Sequence, residues 1–566
     1  MVLLLDTARP LSRAVAGVAL ALVVCFGAGA CSDCRSSTGD SHSPDRAPPW
    51  PLDSPVAAPI PEAAQAVLFV RRFDDLERGL EFALDRFPTE GAGSTLSVVA
   101  ILHDLVRPEP LGISPETDVA AFYQGGDVGF VVPLAAPEKF SDEVTSLIDD
   151  ENLRGRKLGA SGIREIQFGD SSTVLQFAVR GDFVFARTAP ANPPSGPSGA
   201  VDRGAAFRAF FGDRRPGSPR QWPHSEATRD LVAAVASDRE SPRAIGYADP
   251  GPWLEQLPAE GQAATIRTRL ARQIGPTGFH IALDPTRNQL RIDLRNRSVS
   301  GEPTVVADMG EASGERPPLG GLVEPGVLGV LRFAVGPERV YRALESTLPA
   351  ERREQLEVFW GRARRQLLVD GPEAILEHFT GHAAVVLYGL AAERLGESNL
   401  EGLRSIFELR ATREVVLLQI ESRDEVERLL DKLTQITRGR LSRQRSEHTV
   451  QYIWLEEGSL EWALLLGDEY VMFVDSATAL QKATRYERVG RPLTDREVET
   501  MRIGPLLEGR QRSGLFLDTG ILAGLLREHG RERTADFLVP FRSLVVTTEQ
   551  LEGANRTRLQ LHLEDP

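Results

Sequence analysis

Cysteine is nearly absent from the chain: three of 566 residues, Cys25, Cys31 and Cys34, all near the N-terminus. Beyond Cys34 no disulfide can form, so the folded part holds together by packing alone, even in an oxidising compartment. Lysine is almost as scarce, with Lys139, Lys157, Lys432 and Lys482 among 65 basic residues. The net charge is -15, and no segment gathers cations on one helical face, which excludes nucleic acid as a partner. Local catalytic signatures are missing too: there is no G-x-S-x-G, S-x-x-K or G-x-x-x-x-G-K-[ST]. No motif implies a cofactor. What remains, at 42% hydrophobic residues, is a chain with material for several packed domains.

The N-terminus reads as an address. Arg9 and Arg13 precede an apolar run from Ala14 to Phe26, which is shorter than the ~20 residues needed to span hydrocarbon, so residues 1–30 are expected to be a signal peptide. Ala28-Gly29-Ala30-Cys31 resembles the lipobox of bacterial lipoproteins, with Ala where Leu is commoner three places before the cysteine. That resemblance implies a lipid on Cys31 and a membrane as partner through it. Ser32 rather than Asp after the cysteine implies the outer membrane of a bacterial cell envelope. Cys31 and Cys34 also have C-x-x-C spacing, but a polar, Pro-rich stretch offers no helix N-terminus to lower a thiol pKa.

Residues 31–63 carry Pro44, Pro48, Pro49, Pro51, Pro55, Pro59 and Pro61, a density expected to give a semi-rigid tether. Beyond it the pattern repeats. Val67–Phe73 lines up with Val327–Phe333, and a strand at 128–134 with one at 384–390. Helices near 141 and 422 follow, the second opened by a capping box, Ser422-Arg423-Asp424-Glu425. Then come β-meanders with turns at Gly181-Asp182, Glu457-Gly458 and Gly467-Asp468. Helices near 225–236 and 494–507 precede Asp249 and Asp518, each placed to cap another helix. The expected organisation is two tandem α+β copies, residues 64–297 and 323–566, joined by a linker at 298–322. Each copy is read as an antiparallel sheet with helices on one face.

A reactive group used by both copies should recur, and none does. His378 and His382 have metal-ligand spacing, but Gly381 lies between them and no H-E-x-x-H carboxylate is present, so no metal site is assigned. The recurring Asp182 and Asp468 suit tight turns. Tyr452, Trp454, Trp462 and Tyr470 fall on adjacent strands of one meander, with Tyr452 and Trp454 on one face. They are the candidate ligand-binding residues. The tether, the apolar strand opening each copy, the Gly112–Val119 run and the Gly-Asp hairpins resemble a group of exported bacterial proteins of unknown function, a likeness that supplies no activity. Three expectations follow: a non-enzymatic binding or scaffolding protein meeting an envelope protein, a periplasmic carrier of a hydrophobic ligand, or a hydrolase assembled from distant segments.

Overall fold

In a computed structural model of the chain, most of residues 50–75, 111–249, 276–296, 316–390 and 412–564 are described. The signal peptide, Cys31, the tether as far as residue 49, the helix expected after Phe73 and the Glu457-Gly458 turn lie outside the described residues. The protein is mixed helix and antiparallel sheet, in two compact units that meet in sequence between Arg297 and Ser298.

The first unit holds strands β1 (Ala66–Val70), β2 (Val119–Gln124), β3 (Asp127–Pro133), β4 (Arg154–Leu158), β5 (Ile163–Gln167), β6 (Thr173–Arg180), β7 (Phe183–Pro190), β8 (Ala244–Ala248), β9 (Thr277–Asp284) and β10 (Gln289–Asn296). Every pairing is antiparallel, and the spatial order is β4-β5-β6-β7-β3-β2-β1-β8-β9-β10. Among the described residues its helices are α1 (Pro137–Asp150), α2 (Arg203–Phe211) and α3 (Glu226–Ala236). The first begins a turn earlier than Ser141, because Pro137 is preorganised for a first helical turn.

Helices cover both faces of this sheet, contrary to the one-faced expectation. The cause is in the strands: four consecutive residues of β1, Val67 to Val70, are buried, as are four of β8. A strand apolar on both sides needs cover on both sides. Val67, Phe122 and Phe185 pack with Phe207, Phe211 and Val235 of α2 and α3, while Ile166, Phe177 and Val184 pack with Phe140 and Val144 of α1. Two close approaches seal the sheet. Phe122 lies over its register partner Gly129, and Phe279 over Gly246, where an added Cβ would come within 2.4 Å and 2.0 Å of the ring.

The tether reading fails over its last third. Leu52, Val56, Ala57 and Ile60 are buried in the same cluster as Phe69 and Trp222. Trp50 Nε1 and Ser54 Oγ donate to Asp118 at 2.9 and 2.6 Å. Proline density forbids a helix or central strand, but a short 3-10 turn at Pro55–Ala57 lets this segment pack as irregular backbone.

The second unit holds β11 (Gly329–Ala334), β12 (Phe379–Leu390), β13 (Thr412–Ile420), β14 (Leu441–Arg445), β15 (Val450–Glu456), β16 (Ser459–Leu466), β17 (Tyr470–Val474), β18 (Gln511–Asp518), β19 (Phe541–Leu551) and β20 (Ala554–Leu563). Their antiparallel order is β14-β15-β16-β17-β13-β12-β11-β18-β19-β20. Its helices are α4 (Glu373–Leu376), α5 (Arg423–Ile436), α6 (Ala477–Val489), α7 (Asp495–Met501), α8 (Gly504–Leu507), α9 (Thr519–Glu528) and α10 (Glu532–Leu538).

Here α6 to α8 pack on one face, α5, α9 and α10 on the other. Residues 319–322 are not linker: Leu319 and Leu322 are buried in this unit, and Gly320 N donates to Arg491 O at 2.7 Å. Asp518 caps α9 through Ile521 N at 2.9 Å, as its position predicts. The Ser422 box does not form, whereas Thr494 and Glu497 make one at the start of α7. The expected 494–507 helix breaks at Arg502, which adopts the left-handed conformation at φ 56.

Candidate functional site

Period two on β15 places Tyr452 and Trp454 on one face, and the antiparallel register brings Trp454 opposite Trp462 on β16. Their rings stack with centroids 5.6 Å apart and planes 15° from parallel. Both are half-buried, and Phe473 continues the row at 6.2 Å from Trp462. Tyr452 is fully buried under α5 and donates its hydroxyl to Asp431 at 2.8 Å. Burial, then the Asp431 carboxylate, push that phenol well above its ordinary range. Tyr470 belongs to neither group. It sits on the opposite face against Tyr486, 5.4 Å between centroids. The four aromatics therefore divide into a half-buried stacked pair, one core tyrosine and one residue across the sheet. Beside the pair, Leu455 is 49% exposed at a register irregularity.

Sequence reasoning passed over a polar ladder in the first unit. Glu165, Gln176 and Arg187 are direct register partners across β5, β6 and β7, and all three are buried. Gln176 Nε2 donates to Glu165 at 2.8 Å, and Arg187 Nε to Gln176 Oε1 at 2.9 Å. Arg203 of α2 donates to Glu165 at 2.5 Å and to the carbonyls of Pro190 and Ala191. Arg187 lies 5.3 Å over the Phe210 ring, and Asp127 stands 3.6 Å away. Burial lowers its pKa, opposed by Asp127 and Glu165. With each polar end matched, the ladder behaves as a strut between strands. The sequence signal was three polar residues at inward positions of consecutive strands.

Two buried histidines bear on acid-base chemistry. His280 on β9 is opposite Asp293 on β10, with Nε2 to Oδ2 3.0 Å, and Arg291 Nε donates to the same oxygen at 2.6 Å. His562 Nδ1 and Ser543 Oγ are 2.9 Å apart across β19 and β20. Burial, with Arg502 and Arg542 nearby, lowers His562 to about 4. A base so weak gives Ser543 little activation at neutral pH, and both side chains are buried from any substrate. His378 lies in a turn before β12 and His382 within that strand, past Gly381 at φ 89, so they share no helical turn. Among the described residues no three His, Cys, Asp or Glu side chains gather as a metal site.

A small cleft opens at the end of β11, lined by Arg316, Arg332, Phe333, His382, Leu506 and Ser513. It has room for one water, about 10 Å³. Arg332 Nη2 reaches Pro317 O at 3.4 Å, and Arg316 donates to Gln511 O at 2.5 Å. Burial and the neighbouring Arg316 lower the Arg332 pKa to about 10, so both groups stay cationic at neutral pH.

No family model matches the chain, and no curated protein matches it. Two solved structures of TP0453, crystal forms III and I, are similar at 12% and 13% identity, each with a TM-score of 0.24. They cover 43% and 46% of this chain and 80% and 88% of their own. Likeness at that level carries no argument about this protein's fold or role.

Proposed function

We propose that the chain is an envelope lipoprotein, tethered through lipid on Cys31, that acts as a non-enzymatic binding or scaffolding protein built from two copies of one module. The duplication is supported by strand order: the nine pairings of β1 to β10 correspond one to one with those of β11 to β20. On this reading Val67 corresponds to Val330, Phe122 to Val386, Tyr247 to Phe516 and Arg187 to Val474, each pair being cross-strand neighbours in its own sheet. The sequence match of Val67 with Val327 is thus three residues out of register, and strand 128–134 corresponds to β13 rather than to 384–390.

The observation carrying the binding role is the partly buried Trp454–Trp462 stack beside exposed Leu455. Its counterparts in the first copy are Ile166 and Leu175, so the aromatic face is peculiar to the second. The solvent-facing part of paired indoles suits a partner's apolar side chain, since large flat rings bury much area at little entropic cost. The carrier reading draws less support. The cleft at β11 holds about 10 Å³, whereas small-molecule sites span ~300–1,000 Å³.

The test is native mass spectrometry of the full chain extracted from bacterial membranes. A diacylglyceryl-modified, N-acylated Cys31 terminus with no further adduct is expected. An unmodified terminus elsewhere would overturn the anchor. A stoichiometric lipid-sized adduct lost in Trp462→Ala would replace the binding role with the carrier.

A further inference from the structure

A strand at the end of a sheet leaves a row of backbone N–H and C=O groups without a partner, a template for another extended chain. The two units treat such an edge differently. β4, the terminal strand of the first, carries Gly155 at mid-strand and exposed Lys157 opposite Arg164, which weakens the strand and crowds cations along it. β14, the terminal strand of the second, is held as a regular template. All five of its residues pair with β15 without a register shift, and no proline or glycine interrupts them. Leu441 is buried at one end, and beyond the other Ser446 N donates to Thr449 O at 2.9 Å. Among the described residues nothing pairs with the outer side of β14, and Arg443, Gln444 and Arg445 are exposed. The charges on this edge also divide. Arg443 folds back onto α5, where Glu427 and Asp431 cancel it, the latter at 3.2 Å. Arg440 and Arg445, one at each end, are exposed, and among the described residues neither meets a carboxylate.

We propose that the free edge of β14 takes up an extended acidic segment of a partner protein as one more strand of the sheet. Main-chain hydrogen bonds to the outer side of β14 supply the affinity, and side chains at alternate positions set the specificity. Because β14 is already pinned, only the incoming segment loses conformational freedom. Carboxylates of that segment opposite Arg440 and Arg445 form cross-strand charge pairs at both ends. A second copy of the chain fits this edge poorly. Antiparallel pairing of two β14 strands along their full length sets Arg443 opposite Arg443, like charges directly across. The site is a backbone edge and uses neither indole of the Trp454–Trp462 stack, so it stands independently of that stack's role.

The experiment is hydrogen exchange of the full chain in mild detergent, read by mass spectrometry over residues 440–446 with and without a synthetic peptide. The peptide is a blocked decapeptide of Val and Thr with two Glu residues placed to face Arg440 and Arg445, and fluorescence anisotropy of its labelled form gives the affinity. It is expected to bind saturably and to slow exchange of the outward amides of β14, about half of those in the strand. A counterpart with Lys for Glu should bind more weakly. Arg445→Glu, at an exposed position, should weaken the Glu peptide by about two- to fivefold, the worth of one cross-strand charge pair, and strengthen the Lys peptide. Proline in the middle of the Glu peptide should abolish the protection. Absence of binding, binding that leaves β14 exchange unchanged, or equal binding of the Glu and Lys peptides would overturn the proposal. So would an affinity for the Glu peptide unchanged in Arg445→Glu. Protection of β14 that rises with protein concentration in the absence of peptide would overturn it as well, since a second copy would then occupy the edge.

Discussion

Replacing Glu165 by alanine removes the acceptor on which Arg203, Arg156 and Gln176 converge. The contributions are unequal. Arg156 is 55% exposed in its side chain, so its share is about 0–1 kcal/mol. Arg203 is 13% exposed and Gln176 is buried, so they lose a partner they cannot replace with water. Breaking a buried pair from one side costs about 3–5 kcal/mol, and that is the loss expected for Glu165→Ala.

The second unit suggests the converse experiment, because there Ile453, Ala463 and Val474 form an apolar row of register neighbours across three strands. A volume-matched quadruple, Glu165→Leu with Gln176→Leu, Arg187→Met and Arg203→Met, removes the buried charges of the ladder together with the cation that depends on Glu165, and should recover most of the loss. Hydrogen exchange at the amides of β5 to β7 is the appropriate readout, since two units need not unfold together. A cost below about 1 kcal/mol for Glu165→Ala, or a quadruple variant worse than the single, would refute the strut account.

Three further outcomes are expected. His562 is neutral in the fold down to about pH 4, while the unfolded chain takes up the proton below ~6.5; stability should therefore fall as pH drops between those values, by up to about 3 kcal/mol, and His562→Gln should flatten that slope in urea titrations. Glu497 is held at about 2 by Arg491 and the Thr494 groups, so an NMR pH titration should find it ionised well below ~4.3, its contribution to α7 fading only as pH falls towards 2; Thr494→Ala should cost about 1 kcal/mol at neutral pH. Gly246→Ala drives a methyl into the Phe279 ring and should cost about 1–3 kcal/mol by thermal unfolding, whereas alanine at Gly524, where nothing stands within 4 Å, should not destabilise.

Much of the local structure was legible because it depends on neighbours in sequence. The Gly181-Asp182 hairpin, helix 226–236 and the Asp518 cap follow from turn and capping chemistry within a few residues. Face parity on β15 was legible for the same reason. What period two cannot supply is which strands meet, so Tyr470, grouped by sequence with Tyr452 and Trp454, lies on the far side of the sheet from them. Local signals also competed: Ser422 and Thr494 both open an S/T-x-x-E pattern, yet only Thr494 closes the box. Helices on both faces were foreshadowed by unbroken apolar runs such as Val67–Val70. The cleft was hidden because Arg316, Arg332 and Ser513 come together only through the pairing of β11 with β18 and the return of residues 316–322.

On the proposed anchoring at Cys31, the burial of Leu52, Val56, Ala57 and Ile60 sets the geometry of attachment. Eighteen residues separate Cys31 from Trp50. A stretch of that length spans at most about 60 Å when fully extended, and the buried stretch before Ala66 adds nothing to it. Tension on a lipid at Cys31 would enter the fold at Trp50 and Ser54 and pass through Asp118 into the start of β2, with Leu52, Val56 and Ile60 resisting extraction behind it. The segment is then a mechanical clamp that shields β1, in the middle of its sheet, from being drawn out by its own end.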